Sequence, residues 1–258
     1  NKIVFSGVGK TIDELEFAIF KNIKQINVES EEELNDIEEI CKKKNKKIDI
    51  GLRVNPNVDA KTHSKISTGR YEDKFGIPEN RIIKIFEKFK GNNFLKVNSL
   101  SIHIGSQITT LEPFSQAFKK LRKLTIELKK KNFFIKSLDI GGGIGVTYNE
   151  KKDKIFKISS YVKLVERNFS DLDAEIILEP GRYLVGESGI LLSKVVRLKK
   201  GEEKTFLIID AGMNNLIRPS LYNAEHQIFP VRKKKIKKKC DIVGPVCESS
   251  DVFRKDFV

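Results

Sequence analysis

The sequence predicts an α/β fold: a (β/α)8 barrel lacking its N-terminal strands, followed by the start of a mostly β C-terminal domain. Three stretches carry the prediction: Ser99-Leu100-Ser101-Ile102-His103-Ile104-Gly105-Ser106-Gln107, Ser137-Leu138-Asp139-Ile140-Gly141-Gly142-Gly143 and Ile176-Ile177-Leu178-Glu179-Pro180-Gly181-Arg182. In each, an apolar strand pattern runs into polar, charged or glycine residues, and helical spacing follows. Chemistry repeated at the C-terminal ends of strands is how a parallel barrel reads in one dimension. The third stretch is expected to be a buried strand that delivers charge to the mouth of the core.

Each element has its own signal. Residues 2–5 read as a short strand, and Thr11 with Glu14 has the spacing of a capping box, opening a helix with Leu15, Ala18 and Ile19 inward. Residues 25–29 form the next strand. Ser30 and Glu33 open a second helix whose buried face is Leu34, Ile37, Ile40 and Cys41. Residues 48–54 form a third strand, ending at Arg53-Val54-Asn55-Pro56, and a long loop follows through residues 62–69 to Lys74-Phe75-Gly76-Ile77-Pro78. Loops of that length inside compact domains are usually functional or disordered. A helix over residues 80–89 precedes the His103 strand. A long helix then presents Phe114, Ala117, Phe118, Leu121, Leu124 and Leu128 at helical spacing, and a further helix spans residues 158–169. This gives about six β/α units over residues 1–185. From residue 186 to 258 the pattern changes to strands over 189–198, 205–209 and 242–243 without a long helix.

Composition excludes some classes. The 258 residues contain no apolar run long enough to span a bilayer, and none of the first residues reads as a signal peptide. The single methionine is Met213, so the chain reads as an internal piece of a longer protein. The net charge of +14 raises a nucleic-acid reading, but the lysines are scattered among glutamates on helix faces, apart from a dense run at residues 232–239 that suits a solvated edge strand. Cys41, Cys240 and Cys247 have no metal-ligand spacing, and their odd number argues against a disulfide framework, so a reducing, cytoplasmic setting is expected.

Two motif look-alikes fail. Phe5-Ser6-Gly7-Val8-Gly9-Lys10-Thr11 resembles the end of an ATPase phosphate loop, but valine at position 4 replaces the required glycine. Gly141-Gly142-Gly143-Ile144-Gly145-Val146 lacks the last glycine of a dinucleotide fingerprint. The triple glycine and the Gly181-Arg182 turn, on consecutive strand ends, nevertheless suit one phosphate. Glu179 is either a structural ion-pair partner or a carboxylate facing a heteroaromatic nitrogen. His103 is either a satisfied core histidine or a flat ring against a planar cofactor. A phosphorylated aromatic cofactor with a carboxylate at its ring nitrogen describes pyridoxal 5'-phosphate. Cys247, after Gly244-Pro245, is a buried hydrophobe or an acid/base thiol. Arg218 and Tyr222 are surface residues or a grip for a carboxylate.

These segments, in this order, resemble the diaminopimelate decarboxylases, a family of the alanine-racemase-like, fold-type III pyridoxal-phosphate enzymes. The resemblance rests on Phe5-Ser6-Gly7-Val8-Gly9-Lys10, Val28-Glu29-Ser30, Arg53-Val54-Asn55-Pro56, Ser67-Thr68-Gly69 with Lys74-Phe75-Gly76, and His103-Ile104-Gly105-Ser106-Gln107. It continues through Gly141-Gly142-Gly143, Glu179-Pro180-Gly181-Arg182, Ile217-Arg218-Pro219 and Cys247-Glu248-Ser249. It implies that Glu179 pairs with the pyridine nitrogen and that His103 stacks on the ring. Ser106, Gly141 to Gly143, and the turn of Pro180, Gly181 and Arg182 would hold the cofactor and its phosphate. Arg182, Arg218, Tyr222 and Glu248 would contact substrate, and Cys247 would donate a proton. Cys247 and Glu248 would reach into a partner subunit's site, making a homodimer with composite sites, with no specific nucleic acid and no membrane as partner. The reaction implied is decarboxylation of meso-diaminopimelate to L-lysine, the last step of lysine biosynthesis.

The departures bear on activity. The lysine that carries the cofactor in this family is expected upstream of Asn1, and a closing tyrosine beyond Val258, so this piece alone is expected to be inactive. Asp73 stands where serine is frequent, and the lysine run at 232–239 has no role that the family supplies. The alternatives are a decarboxylase for ornithine, arginine, lysine or a D-amino acid, or an inactive regulatory homologue; a nucleic-acid-binding module is a third.

Overall fold

The computed structural model describes residues 2–60, 69, 73–148, 154–232 and 238–258. The expected loop motif at 62–68 and the centre of the lysine run, 233–237, lie outside the described residues. The chain divides into two compact units, Asn1–Gly145 with Ile155–Leu184, and Val146–Lys154 with Val185–Val258.

The first unit alternates strands and helices: β1 (Val4–Phe5), α1 (Ile12–Phe20), β2 (Gln25–Val28), α2 (Glu31–Lys44), β3 (Ile48–Asn55), β4 (Ile77–Pro78), α3 (Glu79–Lys88), β5 (Leu95–Ser101), α4 (Glu112–Lys130), β6 (Ser137–Asp139), α5 (Ile158–Phe169), β7 (Glu175–Ile177) and the short α6 (Gly181–Val185). The strands pair in the order β1-β2-β3-β5-β6-β7, all parallel, with β4 a side branch on β3. This is the parallel, barrel-like sheet that the sequence predicts.

The local rules hold closely. Thr11 and Glu14 form the complete capping box of α1, and Ser30 caps α2 through the Glu33 N–H. The inward faces of α1, α2 and α4 are the residues that the spacing selected, and all of them are buried. Behind α4 an aromatic cluster forms, in which Phe118 packs edge-on against Tyr161 and Phe169 at 5.9 and 5.3 Å between ring centres.

Alternation in the strands divides their residues between two environments. Ile26, Val28, Ile50, Leu52, Leu100, Ile102, Leu138 and Ile140 belong to one apolar core. The intervening residues are polar: Gln25, Asn27, Ser99, Ser101, Ser137 and Asp139, each at most 3% exposed. Ser137 Oγ donates to Gln25 Oε1 at 2.8 Å, across two intervening strands. Such a bond can be made only across the concave side of a curled sheet. The curl brings the two edge strands round to each other, since Ser6, after β1, donates to Glu179, after β7, at 3.0 Å.

A bulge sets the phase of β5. Ile50 pairs with Val97 but Gly51 pairs with Ser99, so Asn98 is an extra residue. Before it, Leu95 is buried opposite Ile48; after it, Leu100 and Ile102 take the core side, and Ser99 and Ser101 face inward.

In this chain β7 is the last strand of its sheet, and Leu178, expected in a buried strand, is 48% exposed. Ile176 packs, partly buried, against the core.

The second unit holds a four-stranded sheet in the order β11-β10-β9-β8, built from β8 (Val195–Lys200), β9 (Thr205–Ile209), β10 (Cys240–Val243) and β11 (Val252–Phe257). The pairs β8/β9 and β10/β11 are antiparallel, and β9/β10 is parallel. A parallel pair needs a long crossover. That crossover carries α7 (Arg218–Tyr222). The strand expected from residue 189 starts only at Val195. Asp210 instead holds the Ser193 hydroxyl and the Lys194 N–H at 2.7 and 2.8 Å.

Candidate active site

The concave side of the first unit is a connected polar network. Asn27 Nδ2 donates to Asp139 Oδ2 at 2.6 Å and to Ser6 Oγ at 3.0 Å, and Asn27 Oδ1 accepts from Gln25 Nε2 at 2.7 Å. Ser137 joins Gln25 to Ser99, the latter at 2.8 Å. Gly51 makes room for this layer, because a Cβ there would lie 2.3 Å from Asn27 Oδ1. Asp139 uses its other oxygen to accept the Gly141 N–H at 2.9 Å.

The strand ends meet around the three glycines. Gly141 and Gly143 have φ of +67° and +98°, which an L side chain adopts only with strain. Gly142 donates its N–H to His103 Nδ1 at 3.2 Å, so that nitrogen is an acceptor and the ring proton sits on Nε2. A Cβ on Gly142 would lie 1.9 Å from the Glu179 carbonyl oxygen. The Gly142 backbone therefore touches both His103 and Glu179. The loop after His103 is joined to the glycines by Ile108, which donates to Gly143 O at 2.9 Å and accepts from Gly145 N at 3.1 Å. Ser106 lies half-buried in that loop.

The expected anion nest differs in detail. The N–H groups of Gly141 and Gly142 are spent on Asp139 and His103, which leaves Gly143 N–H as the donor of the triplet toward a ligand, among the described residues. Pro180 is half-buried. Gly181 opens α6 in open space, and Arg182 stands in the first turn of that helix.

Electrostatics separate the titratable groups. Burial, helped by the nearby Arg53 cation, lowers the His103 pKa to about 4, so the ring is neutral at physiological pH. Burial and the neighbouring Glu179 carboxylate raise Asp139 to about 7. Arg53 itself is enclosed, bonded to Glu29 Oε1 at 2.5 Å and lying 4.9 Å from the Phe75 ring centre. Glu29 also accepts the Gly76 N–H at 2.8 Å, tying the 73–76 loop to the end of β2. Lys10, the lysine of the phosphate-loop look-alike, has its ammonium closed in by Glu33 and the Gly7 carbonyl at 2.5 and 2.7 Å. It is a structural tether and not a phosphate ligand.

The second unit gathers the other expected residues into two places. Arg218 opens α7, its guanidinium 4.6 Å from the Tyr148 ring centre and its NH1 2.9 Å from His226 Nε2. Tyr222 closes the same helix, half-buried. Cys247 and Glu248 lie exposed on the turn between β10 and β11. Sequence reasoning missed Asn27, Asp139, the Glu29–Arg53 pair, Tyr148, His226 and Asp251. Only the polar–apolar alternation of the strands pointed to the first two.

Among the described residues no group of three or more His, Cys, Asp and Glu side chains is placed to hold a metal ion, and no helix is long and apolar enough to cross a membrane.

A family model described as pyridoxal-dependent decarboxylase, pyridoxal binding domain, matches residues 1–186. The diaminopimelate decarboxylase of Helicobacter pylori strain J99 is 45% identical over 258 residues, 99% of this chain and 63% of the relative. That of Zymomonas mobilis is 40% identical over 255 residues, covering 99% and 61%. The chain thus spans about three fifths of the length of these curated relatives. Among solved structures, diaminopimelate decarboxylase from Helicobacter pylori, complexed with L-lysine, matches with a TM-score of 0.93 and 45% identity over 98% of this chain and 63% of that one. The Selenomonas ruminantium lysine decarboxylase, at 23% identity and a TM-score of 0.80, shares the fold.

Proposed function

Because this chain belongs to the pyridoxal-dependent decarboxylases, we propose that it serves the decarboxylation of meso-2,6-diaminopimelate to L-lysine and CO2, with pyridoxal 5'-phosphate as cofactor. The identity to diaminopimelate decarboxylases over nearly the whole chain supports the substrate. The observation that carries the reading is Gly142, whose N–H donates to His103 Nδ1 and whose backbone lies against the Glu179 main chain, so that the three strand ends meet at one place.

The residues present fit the cofactor. His103 offers a flat ring that burial keeps neutral, Glu179 a carboxylate at a strand end, and the glycines a cradle that Cβ atoms would fill. Bound pyridoxal phosphate supplies an electron sink for the pair that the departing carboxylate leaves. Glu179 holds a proton at the pyridine nitrogen, and its anchor is the Ser6 hydroxyl at 3.0 Å. His103 would pack against the cofactor's ring, and Ser106, Gly143 and the turn of Gly181 and Arg182 would hold its phosphate. Arg182, Arg218, Tyr222 and Glu248 orient the substrate. Tyr148 and His226 restrain the Arg218 guanidinium from two sides. The Cys247 thiol delivers a proton to the carbon that has lost its carboxylate. In this reading the active unit is a cytoplasmic homodimer in which Cys247 and Glu248 of one protomer complete the site of its partner.

The test is lysine formation from meso-diaminopimelate by the complete reading frame with added pyridoxal phosphate, with ornithine and arginine alongside. Lysine from diaminopimelate alone is expected; product from ornithine or arginine instead would refute the substrate assignment. Cys247→Ala should lower turnover far more than cofactor affinity, and equal losses would refute its role.

A further inference from the structure

We propose that Asp251 is a positioning residue that holds the Cys247-Glu248 turn and the segment leading into Arg218 as one piece; this rests on the reading of Cys247 as proton donor given above. Asp251 is 3% exposed, and each carboxylate oxygen serves a different segment. Oδ1 accepts the Met213 N–H at 2.7 Å, and Oδ2 accepts the Val246 N–H at 2.8 Å. Its own N–H donates to Glu248 O at 3.0 Å, and its carbonyl accepts from Gly244 N at 3.0 Å. The turn carrying Cys247 and Glu248 is therefore closed on Asp251 at both ends.

Gly244 makes space for this carboxylate. A Cβ there would lie 2.3 Å from Oδ2 and 2.6 Å from Oδ1. A further link ties the same turn to α7, because Ser220 Oγ donates to Ser250 O at 2.6 Å. The thiol turn, which serves the partner's site, and the Arg218 helix, which serves its own, thus share a single buried anchor. Only a carboxylate satisfies both amides. An asparagine in its place can accept one N–H but turns its own NH2 toward the other.

The experiment uses the full-length protein loaded with pyridoxal phosphate and compares wild type, Asp251→Asn and Asp241→Asn. Asp241 is a control in the same unit, 7% exposed and accepting the Asp256 N–H at 2.8 Å, away from the thiol turn. Three quantities are read: kcat and KM for diaminopimelate, the melting temperature, and the rate of Cys247 alkylation by iodoacetamide. Asp251→Asn is expected to lower kcat at least tenfold with cofactor affinity within twofold, and to change the alkylation rate at least threefold. Asp241→Asn is expected to lower the melting temperature comparably while leaving kcat and alkylation alone. Unchanged kcat and alkylation in Asp251→Asn would overturn the proposal, as would a loss of activity that follows melting temperature alike in both variants. If Cys247→Ala keeps full turnover, the proton-donor reading fails, and the alkylation rate still decides whether Asp251 sets the turn. Should Asp251→Asn not fold, Gly244→Ala displaces the same carboxylate without removing its charge and is expected to give the same pattern. Wild-type kinetics and alkylation in Gly244→Ala would overturn the proposal.

Discussion

Substituting Gly142 by alanine tests whether glycine turn, His103 and Glu179 act as one site. The φ of Gly142 is not among the positive ones, so an alanine there carries no strain of conformation and the whole effect is steric. The new Cβ would lie 1.9 Å from the Glu179 carbonyl oxygen and 2.8 Å from its carbonyl carbon. Both are backbone atoms, with no flexible side chain to swing away. The Glu179 N–H is bonded to Gly141 O at 2.8 Å, so the two segments cannot separate without losing that bond as well. Overpacking a closed site costs about 1–3 kcal/mol, and loss of the bond adds about 1 kcal/mol. A total of about 3 kcal/mol corresponds to a fall in melting temperature of roughly 6–12 °C for a domain of this size. Glu179 would also move, so the affinity for pyridoxal phosphate, followed by absorbance on titration, should fall at least tenfold. Gly9→Ala is the control, since its Cβ would meet nothing within 4 Å. A Gly142→Ala protein that melts and binds cofactor like Gly9→Ala would refute the reasoning.

Two further predictions concern charge. In the folded state Asp139 titrates at about 7 against an ordinary 3.8, so between these values the native protein binds more protons and its stability falls as pH rises. His103 titrates at about 4 against 6.5, so stability falls as pH drops through that window. Melting temperature measured from pH 4 to 8 should show Asp139→Asn gaining on wild type toward pH 8 and His103→Asn gaining toward pH 4; parallel curves would contradict both assignments. Arg53→Met leaves Glu29 buried without its cation and should cost about 3–5 kcal/mol. Adding Glu29→Gln should recover much of that loss in denaturant unfolding, and strict additivity of the two changes would argue against a coupled pair.

Much of the fold was legible because it is written in short-range periods. The faces of α1, α2 and α4 follow from helical spacing, and the capping residues of α1 and α2 from side-chain chemistry. The placement of His103, Glu179 and the three glycines at strand ends was equally readable, since each follows its strand directly. What could not be read is long-range. Asn27 and Asp139 are 112 residues apart, and Ser6 and Glu179 are 173 apart. Neither pair has a local signature beyond an inward-facing polar residue. The role of Asp251 was hidden because a carboxylate that accepts backbone amides leaves no pattern in the residues it holds.

The extra residue in β5 has a consequence for how insertions and deletions would act. On both sides of Asn98 the strand keeps step with its neighbour: Val97 pairs with Ile50 on the core side, and Ser99 pairs with Gly51 on the interior side. Removing Asn98 alone would therefore close the bulge and leave Ser99 and Ser101 facing the interior and Leu100 facing the helices. A one-residue insertion between Ser99 and Leu100, by contrast, would carry Leu100 and Ile102 into the hydrogen-bonding layer and turn Ser101 against the helices. The bulge thus marks the place where the strand tolerates a change of length.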